Sequence, residues 1–467
     1  MKLAILLRRV VITITSLSVA FTLIALLVNL AVFDEDLKPE VTRIQQPAQT
    51  LPTEGNAYFA IWGMGATDDQ DIVKTGVRLI KRLRQNREAS GLDALETEDY
   101  VEILGAINLD EEWMANYYCN SRTQYGCLAK IRADLHAAPI TGQRLLLMLD
   151  RHKYVLQIPT FRSLGESSFV SPVPPFGTMM KLSQLRLASL YDSGSPAEFL
   201  AQLAVDIRFW RMLLEQGSGL LDKMVGVAGI WTDVQYLSEY LTARELSQDE
   251  TQIAMSLLKP LTRNELNIGD AFEAEQRTLF QVLTTTYGKE SLRAFGPLVT
   301  NWLIQTNATQ NSYYQNITRP MLRLSALSEA EFTAQERTRE QQNKGIRRPY
   351  GRDAMTANWP TGLYNLSGKI LLAKMLGYPE NYIARVHDVN SMIDLVRFQL
   401  SLQSKDVAED LQSPEDFPAS PDTAGLLSSG ALARKGLTFE PEGGWLQFDC
   451  LDKSSLCQIK LYSEKTN

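Results

Sequence analysis

The chain has 467 residues, of which 45% are hydrophobic and 22% are charged, and its formal net charge is −7. Such a composition is typical of a folded protein with enough apolar residues for one or more large cores. The acidic balance, together with the lack of zinc-finger, RNP or long basic-helix patterns, predicts that the chain does not bind nucleic acid.

The N-terminal residues predict a membrane anchor. Residues 10–33 contain no Asp, Glu, Lys or Arg. As a helix rising about 1.5 Å per residue, this stretch is long enough to cross the roughly 30 Å hydrocarbon core of a bilayer. We therefore predict residues 10–33 to be a transmembrane helix in contact with lipid, preceded by a short tail of residues 1–9.

The charges on either side of this helix predict its orientation. Lys2, Arg8 and Arg9 precede it and the acidic residues 34–36 follow it. The positive-inside rule then places the tail in the cytoplasm and the rest of the chain in the periplasm of a bacterial inner membrane. A cleaved signal peptide is the alternative, but its apolar core is shorter, about 7–15 residues, and no A-x-A cleavage pattern follows Leu26.

The next segment, residues 34–55, carries three prolines and no aromatic residue, which predicts an extended linker. Residues 56–405 then show repeated helix signals. Ser195-Pro196-Ala197-Glu198 is a capping box with proline at the first helical position, and similar boxes begin at Ser247 and Ser328. A long apolar stripe at alternating spacings of four and three runs from Tyr382 to Leu400.

These signals predict a mainly α protein, an irregular multi-helix bundle outside the membrane, since no fixed-period repeat is present. Residues 406–467 are expected to hold a flexible acidic connection and then a small C-terminal β-hairpin, because residues 445–450 alternate in polarity before the run CQIKLY.

Four cysteines lie beyond the anchor as two local pairs, Cys119 with Cys127 and Cys450 with Cys457. In an oxidising compartment this arrangement suggests two disulfides, although four cysteines allow three connectivities. Zinc is a poorer alternative because structural zinc sites use C-x(2–4)-C spacing. We predict no metal and no cofactor.

Several motifs that resemble catalytic signatures fail on spacing. Ser256 and Lys259 match S-x-x-K, but the K-T-G at residues 74–76 precedes them and S-D-N is absent. The Gly63-Met64-Gly65 turn lacks the third glycine of a dinucleotide loop, and the aspartates after it are better suited to cap a helix. The histidines, His136, His152 and His387, are expected at the surface or at helix ends.

A polar stretch, residues 333–358, nearly lacks large apolar residues, and long loops of this kind are often functional. Within it the basic cluster Arg347, Arg348 and Arg352 surrounds Tyr350. We take these four residues as the candidate binding site for an anionic lipid or an acidic partner. A solvated surface is the alternative reading of such a charge run.

Four stretches resemble a known group of sequences: residues 56–66 (NAYFAIWGMGA), 206–241, 362–373 (GLYNLSGKILLA) and 382–400. They resemble uncharacterised proteobacterial single-pass proteins with one N-terminal anchor, a helical periplasmic part and no assigned activity. The resemblance implies an inner-membrane protein that faces the periplasm, and it carries over no catalytic residue.

Two functional hypotheses follow. The first is a membrane-tethered, non-enzymatic module that binds another envelope protein or helps to assemble it. The second is a cell-envelope hydrolase that uses carboxylate and histidine side chains. A cleft that gathers two acids, or an Asp and a His, from distant helices would favour the hydrolase, and an exposed apolar groove would favour the binding module.

Overall fold

The structure of the protein, a computed structural model, describes residues 2–46, 52–90, 119–140, 142–163, 173–286, 304–335, 364–375, 379–403, 436–440 and 443–461. This part of the chain is mainly helical with one small antiparallel sheet, which confirms the mainly α part of the predicted fold class.

The helices are α1 (Lys2–Val28), α2 (Pro39–Ile44), α3 (Ala57–Trp62), α4 (Ile72–Ser90), α5 (Cys127–Ala137), α6 (Gln143–Gln157), α7 (Phe176–Ser193), α8 (Pro196–Gln216), α9 (Leu220–Ala243), α10 (Gln248–Leu257), α11 (Arg263–Leu266), α12 (Gly269–Thr286), α13 (Thr306–Tyr313), α14 (Arg319–Ser325), α15 (Leu366–Met375) and α16 (Glu380–Gln403). The strands are β1 (Thr438–Glu440), β2 (Trp445–Gln447) and β3 (Gln458–Lys460).

The chain divides into two compact units. The first unit consists of residues 1–47, 275–323 and 334–379, and the second of residues 48–274, 324–333 and 380–467. The sequence predicted one helical domain over residues 56–405, whereas one boundary between the units, at residues 274 and 275, lies inside α12, which continues across it as a single helix.

The first unit contains α1, which is the helix among the described residues that is long and apolar enough to cross a membrane. The suitable stretch is Leu6–Val28, whereas the sequence predicted residues 10–33. The helix ends earlier because the Asn29 side chain, 3% exposed, turns back to donate to Ala25 O at 2.7 Å. A separate short 3-10 turn follows at Ala31–Phe33.

The residues after α1 are hydrogen-bonded into the first unit. Asp34 accepts from Asn307 N at 2.9 Å and from Ala308 N at 3.0 Å, so its carboxylate caps the N-terminus of α13. Asn29 accepts from Asn365 N at 2.7 Å, and the Tyr364 hydroxyl donates to Phe33 O at 3.1 Å. We call this set of contacts the junction.

The junction extends into the segment that the sequence predicts to be an extended linker. Asn311 donates to Glu35 Oε2 at 3.0 Å and accepts from Lys38 N at 3.0 Å. Beyond it, residues 39–44 form α2, which buries Val41 and Ile44. The described part of the linker therefore differs from an extended chain, because Pro39 begins a helix at its first position, where proline is favoured.

The second unit is organised around the antiparallel hairpin of α8 and α9. The predicted capping box is present at the start of α8, where Glu198 N donates to Ser195 Oγ at 3.3 Å and Ser195 N donates to Glu198 Oε2 at 2.8 Å. Residues 217–219 connect the two helices. Helices α7 and α16 pack against this hairpin.

Two close contacts fix the register of the hairpin. A Cβ atom on Gly229 would lie 2.2 Å from Trp210 Cδ2, so only glycine admits the indole there. Farther along, the rings of Phe199 and Tyr240 stack with centroids 4.2 Å apart. Moving eleven residues up α9 thus corresponds to moving eleven residues back along α8.

The sheet lies at the C-terminus, with strand order β1-β2-β3. The predicted hairpin is β2 with β3, in the register Leu446 opposite Ile459, and β1 adds a third strand that the sequence analysis did not include. The two predicted cysteine pairs, Cys119 with Cys127 and Cys450 with Cys457, lie at disulfide-bonding distance.

The loop between β2 and β3 is fixed to α16. Asp388 accepts from Leu451 N at 2.9 Å and from Asp452 N at 2.8 Å. In turn, Arg385 Nε donates to Asp452 Oδ2 at 2.6 Å, and this contact contributes to a lowered pKa of Asp452 despite burial. The sheet is therefore integrated into the helical part of the second unit.

Candidate functional site

Two adjoining clefts lie along one side of α8 in the second unit. The larger has a volume of about 690 Å³ and the smaller one of about 530 Å³. Glu215 and Gln216, at the end of α8, line both. We call the two clefts together the α8 groove. Its walls are residues 156–162, the exposed side of α8, residues 256–259 and the region from Asn264 to Asp270.

The larger cleft combines apolar and polar side chains. Ile158 and Ile207 are mostly buried in its floor, while Met212 and Leu257 are half-buried at its surface. The apolar residues come from the end of α6, the middle of α8 and the end of α10. This mixture is typical of a surface that binds a ligand with both apolar and charged groups.

One wall of the groove is held by Arg211. Its guanidinium binds the Glu265 carboxylate in a bidentate pair, with Nε to Oε1 at 2.6 Å and Nη2 to Oε2 at 2.8 Å. The same group donates to Lys259 O at 2.7 Å and to Pro260 O at 3.1 Å. Arg211 therefore fixes the 259–265 segment against α8, since a bidentate pair is both strong and directional.

The smaller cleft contains a buried lysine. The Lys223 side chain is 1% exposed, and its Nζ donates to Glu215 O at 3.0 Å and lies 3.4 Å from Asp270 Oδ2. Burial lowers the pKa of Lys223, and the charge of Asp270 opposes that change. Because Glu215 lies in the last turn of α8, the lysine caps the C-terminus of this helix, and its role is structural.

A second polar cluster is enclosed inside the α8–α9 hairpin. Asp206 is four residues before Trp210 and Asp233 is four residues after Gly229, so the register places the two aspartates opposite each other. Their exposed fractions are 0% and 1%. Two acids from different helices thus face each other in the core.

The two aspartates differ in their hydrogen bonds. Ser183 Oγ donates to Asp206 Oδ2, and Gln202 Nε2 donates to Oδ1 at 2.7 Å. Within the described part of the chain, Asp233 Oδ2 has no hydrogen-bond partner. Burial raises the pKa of Asp206 to about 7, opposed by these hydrogen bonds and by Arg186. Burial and the neighbouring Asp206 raise the pKa of Asp233 well above its ordinary value.

His152 lies in the same interior. It is 0% exposed, and burial together with the charge of Arg186 lowers its pKa to about 3. The imidazole is therefore neutral at physiological pH. The prediction of a surface or helix-end position is wrong for His152 and for His387, which is 1% exposed, and right for His136, whose exposed side chain lies 2.8 Å from Asp192.

Comparison with known proteins adds no assignment. No known protein family, functionally described protein or solved structure matches the chain.

The other sequence motifs have structural roles. Ser256 Oγ donates to Ile253 O at 2.7 Å, as a helix-end hydroxyl does, and residues 74–76 lie inside α4. Gly63 lets α3 approach α4, because a Cβ there would lie 1.7 Å from Ile72 O. Asp71 Oδ1 accepts from Val73 N at 2.9 Å, which is the helix capping expected for the aspartates after the glycine turn.

The predicted binding residues Arg347, Arg348, Tyr350 and Arg352 lie outside the described residues, so they remain a prediction. The α8 groove and the acid pair were not predicted. The groove combines four segments that are distant in sequence, and no local pattern reveals it. The acid pair had a usable signal, because α9 is apolar on nearly every side, and a helix of that kind is buried together with its acids.

Proposed function

We propose that the protein is a membrane-tethered module of the bacterial inner membrane, with its bulk in the periplasm, that binds another envelope protein or helps to assemble it. The single observation that carries this proposal is the junction. The apolar helix α1 is followed directly by residues whose side chains complete the first unit, so the candidate anchor and the folded chain are continuous.

The junction favours a retained anchor over a cleaved signal peptide. Cleavage occurs shortly after the apolar stretch, which here ends at Val28. The residues that follow are engaged in the fold, since Asn29 is buried and Asp34 caps α13. These hydrogen bonds fix the segment in the first unit, whereas proteases prefer segments that are free to adopt an extended conformation.

The cysteines support a periplasmic position for the bulk of the chain. Both pairs lie beyond α1 and at bonding distance, and disulfides persist in oxidising compartments such as the periplasm. The basic residues Lys2, Arg8 and Arg9, in the N-terminal part of α1, support the same orientation through the positive-inside rule.

Membrane retention and topology test the first part of the proposal. Full-length protein expressed in bacteria should stay in the membrane pellet after carbonate extraction, and its N-terminal sequence should begin at residue 1 or 2. In intact cells, a cysteine introduced at the exposed Lys130 should react with a membrane-impermeant maleimide. A mature N-terminus near residue 30, or a Lys130→Cys variant that labels only after lysis, would overturn the proposal.

Partner capture tests the second part. Crosslinking in cells, followed by purification in detergent, should recover a reproducible envelope protein with the wild-type chain. The triple variant Arg347→Glu, Arg348→Glu, Arg352→Glu should lose that protein if the predicted basic cluster contacts it. A wild-type chain that captures no protein across several crosslinkers would contradict the assembly role.

A second candidate function is a cell-envelope hydrolase, and the facing acids Asp206 and Asp233 are the observation that favours it. Paired carboxylates with separated pKa values perform acid–base chemistry in many hydrolases. Both acids are enclosed, however, so substrate would reach them only after the hairpin opens. Clearing of purified peptidoglycan by the wild-type chain, lost in Asp206→Asn, would favour this function over the first.

A further inference from the structure

We propose that the α8 groove is the partner-docking site and that its occupant is an acidic, amphipathic protein segment. The inference rests on the proposed function and names the chemistry of the partner. Three properties of the groove lead to it: its charge, its apolar floor and its length.

The unpaired charge of the groove is positive. Arg162, Arg208 and Lys259 are exposed at its rim, and none of them has an ion pair in the part of the chain that the structure describes. The acids offer little compensation, because Glu265 is bound by Arg211 and Asp270 lies beside Lys223.

Among the described residues that line the groove, Glu215 is the one acid outside those pairs. This local excess of positive charge contrasts with the net charge of −7 for the whole chain. Complementary potentials select and steer partners, so the groove suits a segment rich in carboxylates.

The floor adds an apolar requirement. Met212 and Leu257, both half-buried, line the larger cleft together with Arg208 and Lys259. A purely ionic ligand would leave these side chains in water, whereas a segment with alternating acidic and apolar residues would cover them and reach the rim with its carboxylates.

The length of the groove limits the size of the bound segment. Ala204 to Gln216 on α8 line it, which at about 1.5 Å per residue is roughly 18 Å of helix. An extended chain rises about 3.3 Å per residue, so roughly five or six residues fit along it. The Arg211 contacts hold the far wall in place, so little ordering is needed on binding.

A direct binding measurement tests the inference. The probe is a fluorescein-labelled peptide of about twelve residues that alternates Glu and Leu, which as a strand has one acidic and one apolar face. Its anisotropy is followed during titration with the full-length protein in dodecyl maltoside. A peptide with Lys in place of Glu is the matched control probe.

Charge reversal at the rim should weaken binding of the acidic peptide. For Arg208→Glu with Lys259→Glu we expect a dissociation constant raised about tenfold or more, with a smaller salt dependence. The matched control, Lys74→Glu with Lys81→Glu, changes two exposed residues of α4 by the same charge and should bind as the wild type does. Unchanged far-UV circular dichroism should show that both variants fold.

Three results would overturn the inference. The first is equal affinity of the wild type for the Glu and Lys peptides. The second is equal affinity of the Glu peptide for the wild type and for the double variant Arg208→Glu with Lys259→Glu, which we call the rim variant. The third is that the rim variant still binds the Glu peptide but no longer binds phosphatidylglycerol vesicles. Capture in cells separates this inference from the proposed function. If the rim variant recovers the same partners as the wild type, the groove assignment fails and the module function stands.

Discussion

The enclosed pair Asp206 and Asp233 makes a specific prediction about stability and pH. Both carboxyl groups have pKa values raised by burial, so the folded chain holds protons that the unfolded chain releases near its ordinary pKa. The stabilisation from each carboxyl group is fully present below its pKa in the unfolded chain. It is lost as the pH rises through the raised pKa of the folded chain. We therefore expect Asp233→Asn, which cannot ionise, to become more stable relative to wild type as pH rises.

The magnitude follows from proton linkage. One proton difference between the folded and unfolded states changes the unfolding free energy by about 1.4 kcal/mol per pH unit. Between pH 5 and pH 7 the advantage of Asp233→Asn should thus grow by up to roughly 3 kcal/mol. Any cost of burying the amide is independent of pH and cancels from this slope.

The assay is urea unfolding of the full-length protein in detergent at several pH values. Trp210 and Trp231, each 1% exposed, lie in the hairpin and report its opening through fluorescence. His152 changes the stability of the wild type with pH in the opposite direction. Its pKa is lowered to about 3 in the folded chain, so the folded chain loses stability as pH falls below the pKa of histidine in the unfolded chain. The observable is therefore the difference between variant and wild type.

The control is Asp134→Asn on α5, whose carboxylate is partly exposed and pairs with Lys130 at 3.0 Å. Its difference from wild type should stay nearly constant between pH 5 and pH 7. An equally constant difference for Asp233→Asn would refute the conclusion that the interior holds a proton at this position.

Three further predictions concern packing, the disulfide and the junction. Gly229→Ala should destabilise the second unit by about 3 kcal/mol or more because of the facing indole, while Gly177→Ala, with no atom within 4 Å, should change the urea midpoint little. Replacing Cys450 and Cys457 by serine should cost roughly 2–3 kcal/mol, measured by thermal unfolding with and without reductant. Asp34→Ala should lower stability by about 1 kcal/mol through the lost helix cap, and trypsin should then cleave faster after Arg43, in α2.

The sequence allows much of the local structure to be predicted. The capping boxes at Ser195 and Ser247 place the starts of α8 and α10 correctly, because both partners of a box are three residues apart in the chain. The cysteine pairs and the β2–β3 hairpin are local for the same reason. The apolar run at the N-terminus predicts that a helix forms there, but its predicted span of 10–33 lies several residues too late compared with α1.

What the sequence analysis missed depends on tertiary geometry. Asp206 and Asp233 face each other because of a register that Gly229 and Trp210 determine together, and neither residue indicates it alone. Asp34 caps a helix that begins more than 270 residues later, so the acidic cluster was read as a polar linker. His152 was misplaced because the apolar stripe of α6 does not show which neighbours enclose it.

The register of the α8–α9 hairpin has a consequence for recognising related proteins. Adding one residue inside α9, between Gly229 and Asp233, would displace the rest of the helix by about 1.5 Å and rotate it by about 100°. Asp233 would then leave Asp206, while Gly229 would stay against the indole of Trp210. Insertions and deletions should therefore be tolerated in many loops of this chain but not between Gly229 and Asp233, and we expect the spacing of these two residues to identify distant homologues where overall identity has faded.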